Sequence, residues 1–446
     1  MIVHADKLKE TPWLDYEPGD WTRFRVKDIA ALSPPLSEGA PAPTETCTVV
    51  PMESLSVTGD ISYEGQADYR DVSSGLPNFE NGDVLFAKIT PCMENGKGSH
   101  VVGLPTRYAF GSTEFHVLRP GHRVDARFLY YYTFNPIFRR YAAENMTGAA
   151  GQKRVSSRFL NYTPIWLPGI HEQGRIAAYL DNACKAIDGA IGAKRKQLDT
   201  LADLRKSIIH KAVTRGLDDS VEMKPSGVDW LGEIPAHWGV QRLKDIADIR
   251  YGLGQPPAES QEGIPMIRAT NVDAGRILDR DLLRIDKDDL PLGRNPYLQA
   301  EEIIVVRSGA YTGDSAIIPP EYAGAVAGYD MVVTARKAAP EFVAYALLSY
   351  YVLDAQILLL TLRAAQPHLN AEQLGSIRVL VPASRDEQRL IAAHIASKLK
   401  KVERVSRSLT EQIRTLQDYR KSLIHECVTG KRRIRDADIQ KVKEHV

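Results

Sequence analysis

A long internal duplication limits the possible folds of this chain more than any other feature. Nine identities, two of them tryptophans, recur at one offset of 217 residues. They are Trp13-Leu14 and Trp230-Leu231, Pro18 and Pro235, Trp21 and Trp238, Arg25 and Arg242, and Lys27-Asp28-Ile29-Ala30 and Lys244-Asp245-Ile246-Ala247. A repeat of this length indicates that one folding unit occurs twice. The 446 residues also exceed what one hydrophobic core usually organises, so we expect at least two domains.

Both copies pass through the same order of sequence patterns. Residues 83–88 and 302–307 each consist of an acidic strand start, four apolar residues and a basic stop. Each copy continues with an aromatic-rich helical segment, a glutamine beside a Gly/Ala turn, and an apolar strand. This mixture of strand and helix patterns predicts two similar globular domains of the α+β class.

A long helix is predicted after each globular copy. The distance from Glu172 to His210 is 38 residues, and the distance from Glu387 to His425 is the same. Apolar residues alternate at spacings of three and four, which is typical of a coiled-coil seam. The predicted seam residues are Ile176, Leu180, Ile187, Ile191, Leu198, Leu201, Ile208, Ile391, Ile395, Val402, Val405, Leu409, Leu416 and Leu423, with Lys194, Lys398 and Gln412 as polar members of the same pattern.

The equal length of the two helices favours pairing with each other. Each helix alone would leave about ten aliphatic side chains in water, and burial stabilises each by roughly 1.5–3 kcal/mol before entropy costs. The order domain–helix–domain–helix predicts a long intramolecular antiparallel two-helix coiled coil that separates two globular domains, a pseudo-two-fold repeat. The alternative is that both are core helices of ordinary α+β domains.

The predicted boundaries follow from this order. They are an N-terminal globular domain (1–170), a first long spacer helix (171–217), a linker with the C-terminal globular domain (218–384), a second long spacer helix (385–430) and a basic C-terminal tail (431–446).

The charge distribution suggests a local positive surface on a neutral protein. The formal net charge is only +1, which argues against a generic polyanion binder. Residues 85–168 nevertheless hold 11 basic and 4 acidic side chains, whereas residues 240–384 hold 14 basic and 18 acidic ones. We therefore expect a positive face in the first domain and only a small one in the second. Alternatively, folding disperses these charges.

The cysteines indicate neither a metal site nor a disulfide framework. Cys47, Cys92, Cys184 and Cys427 are scattered and form no Cys-x-x-Cys pair. This usage favours a reduced, cytoplasmic compartment.

A duplicated domain on a pseudo-two-fold spacer suits a ligand that has a repeating axis. Duplex DNA is such a ligand, because recognition elements set apart along it can enter major grooves on one face. The central sequences of the two copies differ, so we expect two different half-sites and an asymmetric, split target.

The chain resembles the specificity subunit of type I restriction–modification enzymes over essentially its whole length. The resemblance lies in residues 82–97 of the first domain, which contain Lys88-Ile89-Thr90-Pro91, and in residues 226–238 of the linker. It also lies in the proline followed by Glu-Gln that precedes each long helix. Two features depart from the family pattern: residues 307–314 form a glycine-rich variant, and Gly189 and Gly192 weaken the first helix.

The resemblance implies two target-recognition domains and a role without catalysis in this chain. It implies assembly with two methyltransferase (modification) subunits, and with restriction/translocase subunits for cleavage. The partners would methylate adenine with S-adenosylmethionine and cleave with ATP and Mg²⁺, so no cofactor and no metal is expected on this chain.

Two other function classes remain open from the residues alone. A fused DNA methyltransferase is one, since residues 135–138 (Asn-Pro-Ile-Phe) are similar to the loop that holds the amino group in adenine methyltransferases. Such an enzyme would also need a glycine-rich cofactor turn after its first strand, and Gly252-Leu253-Gly254 is followed by prolines instead. A coiled-coil protein–protein adaptor without a DNA role is the other.

Basic and amide side chains near the predicted turns are the candidate DNA contacts, because such groups bind phosphates and base edges. In the first domain they are Lys88, Lys97, Arg139, Arg140, Lys153 and Arg154. In the second domain they are Arg268, Asn271, Arg307, Tyr311, Arg363, Gln366 and His368.

Overall fold

A computed structural model describes residues 16–37, 39–149, 151–228, 230–255, 257–291, 295–361 and 368–444. The chain folds into two compact units. The first unit consists of residues 1–194 and 411–446, and the second consists of residues 195–410. Each is described by itself below.

The helices comprise two very long ones and several short ones. They are α1 (Tyr69–Val72), α2 (Ala126–Thr133), α3 (Pro136–Glu144), α4 (Ser157–Tyr162), α5 (Ile170–Arg215), α6 (Leu243–Ile246), α7 (Pro340–Leu347), α8 (Tyr350–Val352), α9 (Leu359–Thr361), α10 (Ala371–Ser376), α11 (Arg385–Val428) and α12 (Asp436–Lys443). Short 3-10 turns lie at Val26–Asp28, Met52–Ser54, Ala269–Asn271, Lys287–Asp289 and Pro320–Tyr322, and a π-helical turn lies at Leu353–Leu358. None of the helices within the described ranges has the length and apolar character needed to cross a membrane.

The strands of the two units follow one plan. In the first unit they are β1 (Thr22–Arg25), β2 (Ala30–Leu32), β3 (Thr46–Val50), β4 (Gly65–Asp68), β5 (Asn78–Phe79), β6 (Val84–Ala87), β7 (Gly98–His100), β8 (Ala109–Gly111), β9 (Phe115–Pro120) and β10 (Pro164–Leu167). In the second unit they are β11 (Met223–Pro225), β12 (Glu233–Pro235), β13 (Trp238–Arg242), β14 (Ala247–Tyr251), β15 (Glu259–Ile267), β16 (Val272–Asp273), β17 (Arg276–Ile277), β18 (Leu283–Ile285), β19 (Ile303–Val305), β20 (Ser315–Ile317), β21 (Val326–Ala327), β22 (Met331–Ala335) and β23 (Arg378–Pro382).

The sheet topology confirms the duplication. The central sheet has the order β2-β9-β6-β7 in the first unit and β14-β22-β19-β20 in the second, and all of these pairs are antiparallel. A second sheet pairs β3 antiparallel with β4 and parallel with β8, just as β15 pairs with β18 and β21. Finally, β1 pairs with β10 as β13 pairs with β23. The predicted α+β class with a repeated domain is therefore confirmed.

The apolar runs of the sequence form the inner strands of the central sheets. Every residue of β6 and of β19 is buried. Aliphatic and aromatic side chains on both faces suit a strand that is covered on both sides. Helix α2 packs over the first sheet with Phe128, Leu129 and Tyr132 buried, and its N-terminus is capped by Asp125, whose carboxylate accepts a hydrogen bond from the Phe128 amide.

The two long helices contribute to both units and run antiparallel in each. In the first unit, Arg420 of α11 donates to Asp188 of α5 at 3.2 Å, and Lys194 of α5 donates to Gln412 of α11. Residue numbers therefore fall along one helix as they rise along the other. In the second unit, Ile209 of α5 shares a hydrophobic core with Ile391 and Ile395 of α11. These contacts confirm the predicted antiparallel pairing within the chain.

The duplicated Glu-Gln pair explains how each long helix begins. The Gln173 side chain donates to the Pro168 carbonyl at 2.9 Å and accepts from the Asp125 amide at 2.8 Å. Gln388 likewise donates to the Pro382 carbonyl at 2.8 Å and accepts from the Ala339 amide. Each glutamine is almost fully buried, and the hydrogen bonds of its side chain tie the helix start to the N-terminus of α2 or α7.

A second duplicated motif lies near the end of each long helix, Arg-Lys-Ser-Ile-Ile-His at residues 205–210 and Arg-Lys-Ser-Leu-Ile-His at residues 420–425. It packs against the globular domain of the other repeat. The end of α11 buries Leu423 and Ile424 in the first unit, where the ring of His425 lies 3.1 Å from the Asn135 side-chain oxygen. The end of α5 behaves in the same way in the second unit, where Arg205 donates to the Ala274 carbonyl and Ile209 is buried. Each globular domain is thus held by the start of its own helix and the end of the other.

The predicted seam is partly wrong in the middle of α11. Val405 is 46% exposed, and Lys398 and Gln412 are also exposed. The half-buried positions are instead Leu399, Ser406 and Ile413, which alternate with Ile395, Val402, Leu409 and Leu416. Alternating spacings of three and four through Ile395, Val402, Leu409 and Leu416 leave two choices for the positions between them, either Val405 or Ser406 for example. The sequence favoured Val405 because it is apolar, but Ser406 is the residue that faces the other helix.

The remaining seam residues differ in how deeply they are buried. Those near the globular domains are buried, namely Ile176, Leu180, Ile187, Ile191, Ile391, Ile395 and Leu423. Leu198, Leu201, Ile208, Val402 and Leu416 are half-buried, and Leu409 is 9% exposed. A seam residue between two helices is covered on fewer sides than one that also contacts a globular domain. Burial of the seam residues therefore decreases with distance from the domains.

The segment expected as a basic C-terminal tail contains α12 and packs in the first unit. Ile434 belongs to the core of this unit, and Ile439 and Val442 pack against it. Arg433 forms ion pairs with Asp20 and with Glu172, the latter at 2.8 Å. The basic side chains of this segment are therefore partly used in internal contacts.

The register of α11 can be tested with two alanine substitutions. We expect Leu409→Ala to destabilise the protein by about 2 kcal/mol, because it removes buried apolar surface from the helix pair. Val405→Ala, the matched control, should change stability by no more than about 0.5 kcal/mol, because the side chain is exposed. Thermal unfolding of the full chain measures both, and equal losses would contradict the observed register.

Candidate nucleic-acid interface

The strands of the second central sheet bring several candidate side chains to one edge. The register pairs Tyr251, the last residue of β14, with Met331, the first of β22, and Met331 with Val305, the last of β19. Tyr251, Arg307 and the residues just before Met331 therefore meet at the same end of the sheet. We call Tyr251, Arg307, Tyr329, Asp330 and His368 the second-domain cluster.

Arg307 is the centre of the second-domain cluster. Its guanidinium carbon lies 4.3 Å from the ring centroid of Tyr329 and 4.7 Å from that of Tyr251. Its Nη2 atom lies 2.8 Å from Nε2 of His368. Arginine only donates hydrogen bonds, so the His368 ring nitrogen accepts here. The rings of Tyr251, Tyr329 and His368 thus contact the Arg307 guanidinium group.

Asp330 is the buried member of the second-domain cluster. Its carboxylate accepts a hydrogen bond from the Arg307 backbone amide at 3.2 Å. Burial raises the pKa of Asp330 to about 6, although the amide hydrogen bond and the nearby guanidinium oppose the shift. The Asp330 carboxylate therefore binds the backbone of residue 307, whereas the aromatic rings contact the guanidinium group.

The first domain builds the same edge from different side chains. We call Lys88, Glu114, Lys153 and Arg154 the first-domain cluster. Arg154 donates to both carboxylate oxygens of Glu114, at 2.7 and 2.9 Å. This ion pair holds the pKa of Glu114 below its usual range. Lys88 is half-buried and Lys153 is exposed, so the positive charge here is carried mainly by lysines.

A common backbone supports the two clusters. The Val155 amide donates to the Lys88 carbonyl at 2.8 Å, and the Leu369 amide donates to the Arg307 carbonyl at 2.8 Å. A returning segment thus pairs with the residues that follow β6 in one domain and β19 in the other. Arg154 and His368, each one residue earlier, occupy matching places in the two clusters. The two repeats share the backbone at this edge but not the chemistry of its side chains.

Two predicted contacts of the first domain have structural partners instead. Arg139 is buried, donates to the carbonyls of Met93 (2.6 Å) and Thr133 (2.7 Å), and its pKa is lowered by this burial. Its side chain is therefore not available to DNA in this structure, because the basic pair 139–140 lies on a helix with one buried face. Lys97 is half-buried and donates to the Met52 carbonyl at 2.9 Å, whereas Arg140 is exposed.

The second domain shows a similar division. Asn271 is fully buried and donates to the carbonyls of Leu278 and Arg280, so it orders a turn and does not face solvent. Arg268 is half-buried and donates to the Asp281 carbonyl, while Tyr311 is 54% exposed. Arg363 and Gln366 lie outside the described residues.

Sequence reasoning missed the two tyrosines and the acidic residues of the clusters. Tyr251 and Tyr329 are 41% and 48% exposed, and each lies next to a strand end. The duplication carried a usable signal for them. Residues that follow neighbouring strands meet at one edge of the sheet, and the equivalent residues of the other repeat meet at the same edge of its sheet. In the described part of the chain, no group of three His, Cys, Asp or Glu side chains could hold a metal ion.

The contrast between Arg139 and Arg140 can be tested directly. We expect Arg139→Ala to destabilise the protein by about 3 kcal/mol, because it leaves two buried carbonyls without their donor and opens a cavity beside two phenylalanine rings. Arg140→Ala should change stability by less than about 0.5 kcal/mol, because its side chain is exposed. Thermal unfolding distinguishes the two, and an unaltered Arg139→Ala variant would contradict a structural role.

The burial of Asp330 predicts a pH dependence of stability. Its folded pKa of about 6 exceeds the ordinary value of 3.8, so between these limits the folded state binds more protons than the unfolded state. The Asp330 contribution therefore declines as pH rises through this window, by on the order of 3 kcal/mol in total. We expect Asp330→Asn, which keeps an acceptor oxygen, to gain stability relative to the parent chain between pH 4.5 and about pH 7. Thermal unfolding at several pH values measures this, and a constant difference would contradict the assignment.

Comparison with known proteins bears on what this edge is for. A family model described as "Type I restriction modification DNA specificity domain" matches residues 18–198 and again residues 235–416. The EcoAI specificity subunit of a type I restriction enzyme from Escherichia coli is 35% identical over 161 residues, 36% of this chain and 27% of that protein. A putative MjaX specificity subunit from Methanocaldococcus jannaschii is 24% identical over 98% of this chain and all of its own length.

Solved structures share the fold. A chain from a type I restriction–modification system, described in terms of complex assembly and conformational transition, superposes with a TM-score of 0.72 at 18% identity, covering 94% of this chain and all of that one. The HsdS subunit from Thermoanaerobacter tengcongensis gives a TM-score of 0.50 at 18% identity, with 94% and 99% covered. The alignments to the EcoAI and EcoEI specificity subunits of Escherichia coli each span 27% of the length of those proteins. Because the family model matches two segments that together make up well over half of the chain, this protein belongs to the type I restriction–modification DNA specificity family.

Proposed function

We propose that this chain is the non-catalytic DNA-recognition subunit of a type I restriction–modification complex. One observation carries the proposal: two copies of one domain present chemically different side chains on the same sheet edge. A lysine-rich cluster with a Glu–Arg ion pair and an aromatic-held arginine would recognise different bases. The target would therefore be asymmetric and bipartite, with one half read by each domain.

The proposed partners follow from the family to which the chain belongs. We propose assembly with two adenine-methyltransferase subunits, and with restriction subunits where the system also cleaves. S-adenosylmethionine would then be bound by the methyltransferases, and ATP and Mg²⁺ by the restriction subunits. DNA as the ligand also agrees with the expected cytoplasmic location.

Each globular domain should specify one half of the target independently. We expect that replacing residues 21–168 by the equivalent domain of a family member changes one half-target and leaves the other intact. The long helices, with their contacts Asp188–Arg420 and Lys194–Gln412, stay unchanged in this chimaera. Sequencing of modified adenines in cells that carry the chimaera and its modification subunits gives both half-targets.

The reciprocal exchange of residues 238–382 is the matched control, and it should change only the other half. A chimaera that loses or alters both halves together, while the protein remains folded, would contradict separate recognition by the two domains.

A further inference from the structure

The aromatic rings around Arg307 serve a more specific purpose than general attraction of DNA. The geometry points to Arg307 as the side chain that recognises a guanine in the half-site of the second domain, with Tyr251 and Tyr329 as the residues that position it. This inference rests on the proposed DNA-binding function. It adds the identity of the base, the residue that contacts it and the two positioning residues.

The Arg307 charge is held in place without being neutralised by an acid. Other arginines of the second domain pair with carboxylates, as Arg250 does with Glu302 at 2.6 Å and Arg336 with Asp248 at 2.6 Å. Among the described residues, no carboxylate forms an ion pair with the Arg307 guanidinium, whose hydrogen-bond partner is a histidine. The Nη donors of Arg307 are therefore not taken up by a carboxylate of the described residues.

The Nη edge of Arg307, on which His368 is the hydrogen-bond acceptor among the described residues, fits a guanine. Each guanidinium nitrogen of the Nη pair carries two hydrogens, and His368 accepts one of the four. The others suffice for the bidentate contact that arginine makes to O6 and N7 of guanine in the major groove. A planar cation stacked on aromatic rings also has less rotational freedom to lose on binding, which favours specificity.

A phosphate contact is the competing role, and the surroundings disfavour it. The Asp330 carboxylate lies directly behind the Arg307 backbone, and residues 240–384 carry more acidic than basic side chains. Negative charge close by opposes a phosphate more than it opposes the neutral edge of a base. The exposed faces of Tyr251 and Tyr329 also suit contact with bases better than contact with a phosphate.

The two positioning tyrosines differ in how they are held. The Tyr251 hydroxyl accepts a hydrogen bond from the Ala371 amide at 2.8 Å, which anchors its ring to the start of α10. For Tyr329, among the described residues, the ring contact with Arg307 is the interaction that the structure shows. Tyr329 is therefore the better position for a test of positioning, because its substitution disturbs less of the fold.

Selection from a library of duplexes with randomised positions tests the inference. The full chain, in complex with its modification subunits, is used to select bound duplexes, which are then sequenced. We expect Arg307→Lys, which keeps the charge and loses the planar fork, to reduce the preference for guanine at one position by about 5- to 150-fold. The half-site of the first domain should be unchanged.

Two further variants separate positioning from contact. Tyr329→Leu should relax the same guanine position with little change in total DNA affinity, whereas Tyr329→Phe, which retains the ring, should preserve the preference. Arg336→Lys is the matched control, because this exposed arginine lies beside the opposite end of β14 and β22. It should leave both half-sites as they are.

The outcomes distinguish this inference from the proposed function. If Arg307→Lys weakens binding to all duplexes equally, the residue contacts a phosphate, and the inference fails while DNA recognition stands. If both Arg307→Lys and Tyr329→Leu leave every position unchanged, the inference also fails. If the parent complex selects no sequence at all, the proposed function fails, and the inference fails with it.

Discussion

The antiparallel packing of two long helices from one chain is the contact on which the rest of this structure depends. Both helices cross the division between the two units, and each unit contains the start of one helix and the end of the other. In each unit one hydrophobic core contains residues of both helices together with residues of the globular domain: Ile187 and Leu423 join Phe128 in the first, and Ile209 and Ile391 join Phe342 in the second. Loss of the helix pair would therefore expose the base of both domains.

The two duplicated motifs make different contacts, one at the start and one at the end of each long helix. The buried glutamine at each helix start satisfies backbone groups of the preceding proline and of a neighbouring helix N-terminus. The basic motif at each helix end lies against the domain of the other repeat, through Leu423, Ile424 and His425 in the first unit and through Arg205 and Ile209 in the second. The buried aliphatic residues of the motif recur in both copies, whereas Arg420 pairs with Asp188 of the neighbouring helix and Arg205 donates to a carbonyl of the globular domain.

The strand ends that carry the two clusters differ between the repeats. The strand order and the backbone hydrogen bonds from Val155 and Leu369 are repeated, but the side chains are not. A scaffold that repeats its backbone and varies the residues at its strand ends can acquire a new specificity without changing its fold. This separation of support from recognition agrees with the place of the chain in a DNA specificity family.

Patterns that repeat along the sequence predicted most of the fold. The offset of 217 residues and the equal helix lengths were sufficient for the two α+β domains and the antiparallel pair. The phase of α11 was not predictable from hydrophobicity alone, because Ser406 is half-buried while Val405 is exposed. The site was predicted only in part. Lys88 and Arg154 lie together at strand ends of the first domain, and Arg307 and His368 lie together at strand ends of the second. Residue type could not show that Arg139 and Asn271 are buried.

The tyrosines of the second-domain cluster show why the other residues of the candidate site could not be predicted from the sequence. Tyr251 and Tyr329 are 78 positions apart in the sequence, and only the pairing of β14 with β22 brings them to Arg307. No local pattern records such a contact, because it depends on strand order and register.

Chemical cross-linking between the long helices tests the central claim most directly. Cysteines introduced at positions 194 and 412, with the half-buried Cys92 replaced by serine, place two thiols where Lys194 and Gln412 meet. The account predicts rapid cross-linking within one chain by a short bifunctional reagent. A pair at positions 194 and 421, displaced along α11 by about 13 Å, should react far more slowly. Cross-links that form only between chains, or equally in both variants, would contradict antiparallel pairing within the chain.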